Sequence, residues 1–159
     1  TAETLYRAIL KRSRYSYVPG TNPDAVATFK SGAGDCGALS SLFVASCRAA
    51  GIPARTVTGF SLGSNQWHVW AEFNVKDYGW VPVDVAYAEG MMPNGDQPIY
   101  FGVIPELNQR VATSYGFDHQ IGSRSMAVLQ STAMWWSGSN IRVRSLVSGC
   151  SLTVANATP

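Results

Sequence analysis

Apolar positions recur every three to four residues near the start of the chain, where Leu5, Tyr6, Ile9 and Leu10 fall on one side of a helix. Glu3 comes early, and Lys11 and Arg12 come late, an order that suits the helix dipole over residues 4–14. Pro19-Gly20 is expected to end that helix. Asn22-Pro23-Asp24 reads as an N-cap with proline at the first helical position, opening a short helix to about Phe29. Ser31-Gly32-Ala33-Gly34 is expected to be a flexible break. Residues 36–50 then carry one charge, Arg48, and are apolar on almost every face, which predicts a helix buried at the centre of the domain. Gly51 and Pro53 stop it.

After Pro53 the period changes to two. Residues 54–62, 67–74 and 80–87 read as three consecutive strands, separated by turn-forming Gly63-Ser64-Asn65 and Lys76-Asp77-Tyr78-Gly79. Residues 89–98 are rich in Gly, Pro and Asn and read as loop. Further strands are expected at 100–103, 123–130 and 141–147. Helices first and an antiparallel sheet after them is an α+β order, not alternating βαβ.

Composition narrows the classes. The 159 residues suffice for one covered core, and 46% hydrophobic content is that of a globular chain. A net charge of +2, with no basic run longer than Lys11-Arg12-Ser13-Arg14, argues against nucleic acid as a partner. No apolar stretch is long enough for a membrane span. Only 14% of residues are charged, so much of the surface must be Ser, Thr, Asn, Gln and Gly, a balance that leans toward an extracytoplasmic setting. Without repeats or linkers, residues 1–159 are expected to form a single domain, and the opening Thr1-Ala2-Glu3-Thr4 reads as the interior of a longer protein.

Three cysteines leave one over under any single-disulfide scheme. Cys36, in Gly34-Asp35-Cys36-Gly37, begins the buried helix, where unpaired N–H groups and the dipole favour thiolate. Asp35 is a plausible N-cap. Gly34 and Gly37 are expected to leave room for a substrate backbone, with the Cys36 amide as a donor to an oxyanion. On this context alone a buried structural thiol is an equal reading. Cys47, mid-helix among Val44, Ala45 and Ala49, reads as structural. A Cys47–Cys150 disulfide and two separate thiols both remain open.

A thiol nucleophile needs a base. In Trp67-His68-Val69-Trp70-Ala71-Glu72, alternation puts His68, Trp70 and Glu72 on one face. With Glu72 opposite Trp80, Trp70 faces Pro82 and His68 faces Asp84, with Cβ atoms roughly 5 Å apart. A carboxylate there can hold one imidazole nitrogen and leave the other for the thiol. Asp84 is flanked by Val83 and Val85, an odd place for a carboxylate without a partner. His119, in Asp118-His119-Gln120, has no comparable setting and reads as structural or surface. No CxxC or HxxxH spacing supports a zinc site, and no acidic run suggests calcium, so no metal or cofactor is expected.

Four blocks carry a resemblance: Gly34-Asp35-Cys36-Gly37; Arg48 through Gly59; His68-Val69-Trp70-Ala71-Glu72; and Gly79-Trp80-Val81-Pro82-Val83-Asp84. In this order and spacing they resemble the transglutaminase-like superfamily of bacterial type, over about residues 5–116. The resemblance implies a papain-like cysteine-proteinase fold, with N-terminal helices and a buried central helix packed on an antiparallel sheet or barrel. It implies Cys36 as nucleophile, His68 as general base and later acid, and Asp84 as the orienting carboxylate. A second oxyanion donor usually comes from the segment before the cysteine, where Tyr15 and Tyr17 are candidates and aromatic packing is the competing role. Val85-Ala86-Tyr87 after the aspartate departs from the family's usual small polar or proline residue, at the rim of the cleft.

The chemistry implied is attack by a thiolate on a glutamine side-chain amide or a peptide bond, with a thioester intermediate passed to an amine or to water. Protein or peptide substrates follow from this. A cysteine peptidase of the same fold is the alternative within enzymes, and a non-catalytic peptide- or cell-wall-binding domain the alternative outside them.

Overall fold

The computed structural model describes residues 1–17, 24–62, 64–91, 100–105, 107–116, 119–121 and 124–126. Helix α1 (Ala2–Arg12) begins two residues earlier than the apolar spacing suggests, because the Thr1 hydroxyl accepts from the Thr4 amide. It also ends earlier. Ser13 is extended and buried, and β1 (Arg14–Tyr15) follows at once. Short strand β2 (Ala33–Gly34) pairs with it in parallel, Tyr15 opposite Gly34, through Arg14 N–H to Gly32 O and Ser16 N–H to Gly34 O. The expected flexible break is therefore a paired segment. It lays the end of α1 beside the approach to Cys36.

Helix α2 (Ala25–Ser31) is capped by Asp24, whose carboxylate accepts from the Val26 and Ala27 amides. That places its start after Pro23 rather than at it, and Asn22 and Pro23 lie outside the described residues. Gly32 closes α2 in the left-handed conformation, φ 68°.

Helix α3 (Cys36–Ala49) is the central helix, and Asp35 caps it by accepting from the Ala38 amide at 2.9 Å. Residues 37–44 are buried, whereas Ala45, Arg48 and Ala49 are exposed, so its closing turns reach the surface. Leu39, Leu42, Phe43, Val44 and Cys47 pack with Tyr6 and Ile9 of α1 and with Ala71, Phe73 and Val83 of the sheet. The buried Ser40 hydroxyl donates to the Val69 carbonyl, fixing α3 on the strand that carries His68.

The main sheet contains β3 (Ala54–Ser61), β4 (Gln66–Val75), β5 (Gly79–Val83) and β6 (Arg110–Tyr115), in the order β5-β4-β3-β6, every neighbour antiparallel. The register of β4 with β5 differs by two residues from the one inferred from the turn. Glu72 lies opposite Pro82 and Asn74 opposite Trp80. A two-residue shift keeps every side chain on its face, so His68 and Asp84 still share one, although they are not directly opposite. β5 also ends sooner than residue 87. At Asp84 the chain turns into a helical stretch, the Asp84 carboxylate accepting from the Tyr87 amide and its carbonyl from Ala88.

Residues 100–103 form a single bridge, Val83 opposite Phe101, rather than a strand. β6 was not expected. Val111, Ala112, Thr113 and Tyr115 are exposed while the Arg110 side chain and Ser114 are buried, so no alternation marks it. β7 (His119–Ile121) and β8 (Arg124–Met126) form a separate two-stranded pair, His119 opposite Met126. β8 falls within the strand expected at 123–130. The rest of that strand, the one at 141–147 and Cys150 lie outside the described residues.

Candidate active site

The two faces of β4 pack into different buried clusters. Val69, Ala71 and Phe73 face the side where α3 packs, while Trp70 joins Val57, Tyr87, Tyr100 and Ile104 in a second buried cluster. His68 lies beside that cluster, its ring centroid 4.8 Å from Tyr87 in an edge-on contact and 6.4 Å from Trp70 in a stacked one. It is opposite Gly59 in register. A side chain at Gly59 would strike the Val111 carbonyl and the Trp70 indole, so glycine lets β3 and β6 close up behind the histidine.

His68 is 1% exposed and Asp84 is 0% exposed. His68 Nε2 donates to Asp84 Oδ2 at 2.7 Å. The other ring nitrogen, Nδ1, is buried and has no aligned hydrogen-bond partner among the described residues. Cys36, at the first position of α3, is half-buried. No aligned sulfur–nitrogen hydrogen bond closes between them, but the thiol is near enough to help raise the imidazole pKa. Burial pushes His68 down; the Asp84 carboxylate, with Cys36 behind it, outweighs that and raises it to about 9. Burial likewise pushes Asp84 up, and His68 and Arg110 together hold it below its ordinary value. Cys36, His68 and Asp84, singled out from the sequence, thus come together in space.

Arg110 was not singled out. Its Nη1 donates to Asp84 Oδ2 at 2.6 Å, and its side chain is 1% exposed. The guanidinium lies 5.3 Å from the Trp70 ring centre and 4.8 Å from that of Tyr87. Nothing local in Leu107-Asn108-Gln109-Arg110 marks it. Only the pairing of β6 with β3, Arg110 opposite Ser61, carries it to the site.

The flanking glycines do not open the site in the way expected. A Cβ on Gly34 would meet the Ala38 Cβ at 2.6 Å, so its bareness serves internal packing, and Gly37 is buried. Val85 and Ala86, the departure after the aspartate, are fully buried core residues, and Tyr87 supports the imidazole. Tyr15 is partly buried, and burial raises its hydroxyl, with the Cys36 and Asp35 charges adding to the effect. Tyr17 is 68% exposed. Cys47 is buried within α3, and burial pushes its thiol up to about 11. His119 lies on β7, away from the main sheet's pairing.

The chain is similar to solved structures of this shape. A cysteine-protease candidate from Cytophaga hutchinsonii is 24% identical with a TM-score of 0.54, over 72% of this chain and 35% of that one. Calcium-bound LapG from Legionella pneumophila is 14% identical with a TM-score of 0.51, over 80% of this chain and 69% of that one. Both place the α+β arrangement among papain-like folds. An uncharacterised protein of Haemophilus influenzae is 38% identical across 33% of this chain, and the match spans about a fifth (21%) of that protein. The family model of the transglutaminase-like superfamily matches residues 1–85, more than half of the 159. The chain belongs to the transglutaminase-like superfamily.

Proposed function

We propose that the domain performs thiol-dependent acyl transfer or hydrolysis at a glutamine side-chain or peptide amide, with Cys36 as nucleophile, His68 as base and acid, and Asp84 as the orienting carboxylate. The observation that carries this reading is the buried imidazole, held at Nε2 by Asp84 with Nδ1 left for the half-buried Cys36 thiol. A binding module has no use for a buried carboxylate that orients an imidazole toward a thiol.

In the reaction, the Cys36 proton already rests on His68 Nδ1, as the raised imidazole pKa favours, and the sulfur attacks the amide carbon as thiolate beside the imidazolium. The carbonyl oxygen becomes an oxyanion. The Cys36 backbone N–H, free of intrahelical partners at the first turn of α3, is one donor to it. Tyr15, laid beside Gly34 by the β1–β2 pair, is the candidate for a second. When the C–N bond breaks, His68 returns the proton to the departing nitrogen, leaving a thioester on Cys36. An amine or water then attacks the thioester, gives its proton to Nδ1, and the C–S bond breaks to restore the thiol.

The test offers the domain a glutamine-containing protein together with a labelled amine. Incorporation of the amine, ammonia release without incorporation, or backbone cleavage each supports the reading and identifies the acceptor, provided Cys36→Ala abolishes it while melting normally. Turnover that survives Cys36→Ala, or no Cys36-dependent product of any of the three kinds, overturns it.

A further inference from the structure

Asp84 is the most heavily engaged polar group of the site. Oδ1 accepts from the Tyr87 amide at 3.1 Å, while Oδ2 accepts from both His68 Nε2 and Arg110 Nη1. A carboxylate with no exposed surface must be matched by positive charge or lose its own. Were the imidazolium its only match, every loss of the His68 proton would strand a bare carboxylate in a dry site. The imidazole would then hold its proton too firmly to pass it on.

We propose that Arg110 is a positioning residue of this site, a permanent counter-charge that keeps Asp84 ionised and fixed while His68 gives up and regains its proton. This rests on the reading of Cys36 and His68 as the reacting pair. A guanidinium suits the task because it keeps its charge at every accessible pH. It is also held in place, over the rings of Trp70 and Tyr87. Those same two residues contact His68, and Tyr87 also donates its backbone N–H to Asp84. Sharing Oδ2 with His68, Arg110 draws on the charge that would otherwise belong to the imidazolium alone. Through a turnover the proton moves between Cys36, His68 Nδ1 and the leaving or attacking group, while the charges of Asp84 and Arg110 stay as they are.

The titratable groups around the imidazole come from several elements. They are Cys36 at the start of α3, Asp84 at the end of β5, Tyr87 in the turn after it and Arg110 on β6. Tyr6 of α1 feels the Asp84 charge, and Tyr15 of β1 feels that of Cys36. Of these, Arg110 is the positively charged one.

The test follows the His68 ring by NMR through a pH titration of the whole domain. The chain has two histidines, and His68→Gln assigns the signal. In Arg110→Met, with the counter-charge gone, the His68 midpoint should rise by about one pH unit or more. In Arg110→Lys, which keeps a charge, it should stay within about half a unit of the parent. A folded Arg110→Met whose midpoint is unmoved or lower overturns the proposal. If Arg110→Met does not fold, Arg110→Lys decides, and a shift of about one unit or more there overturns it. The readout is a proton on a ring rather than turnover. Failure to find an acyl substrate would therefore count against the proposed function and leave the Arg110 result standing by itself.

Discussion

At Asp84 three donors converge on two oxygens, and the protonation of its neighbour is tied to the stability of the fold. His68 is raised from 6.5 to about 9, so its contribution is complete below pH 6.5 and lost as pH rises through about 9. Asp84 is lowered from 3.8, so its contribution is present above that value and lost as pH falls through its folded-state pKa. Together they support the fold most from about pH 4 to 6.5. The melting temperature of the parent should therefore exceed that of His68→Gln most clearly near pH 6, with the difference narrowing toward pH 9. A difference that stays constant across that range would mean the imidazole is not held in its charged form. Cys47 is the contrast at this scale. Its sulfur is buried in an apolar helix face, where burial outweighs the pull of the N-terminal charge and disfavours the thiolate.

Among the elements, α3 decides where the thiol sits, and its start is set by one side chain. Asp35 accepts from the Ala38 amide, completing the first turn on which Cys36 is carried. Asp35→Ala should cost about 1 kcal/mol of unfolding free energy in urea denaturation. A loss under about 0.3 kcal/mol would show that packing alone fixes the helix start. The cap, the helix and the central placement of α3 were legible because Asp35, Gly51 and the unbroken apolar run all agree. The strands were legible by alternation, but their exact register was not. The turn after Val75 uses Asp77 at φ 68° and Gly79 at φ 91°, and β5 pairs from Gly79 onward, two residues off the inferred alignment. The shared face survived because a shift of two preserves parity. The early end of β5 was hidden because Val83, Asp84 and Val85 read as one strand, whereas the Asp84 carboxylate prefers to cap a turn.

Across the whole molecule, the sheet order and the packing of α3 on it bring together residues from four separate stretches: Cys36, His68, Asp84 and Arg110. The first three could be found in the sequence because each stands in an informative local setting, a helix start or an alternating strand. Arg110 could not, since β6 is an edge strand whose outward residues erase the alternation, and only its pairing with β3 carries the guanidinium inward. The residues matched by the family model end at 85, before Arg110.

The proposed chemistry depends on His68 activating Cys36. The most direct measurement is the rate of Cys36 alkylation by iodoacetamide at pH 7, followed residue by residue in the parent and in His68→Gln, with Cys47 as internal reference. Exposure alone would let Cys36 react faster than Cys47, so the comparison between the two proteins decides. The expected result is fast labelling of Cys36 in the parent, falling by about tenfold or more in a folded His68→Gln, with Cys47 slow in both. A Cys36 rate that does not change when the imidazole is removed would contradict the central claim.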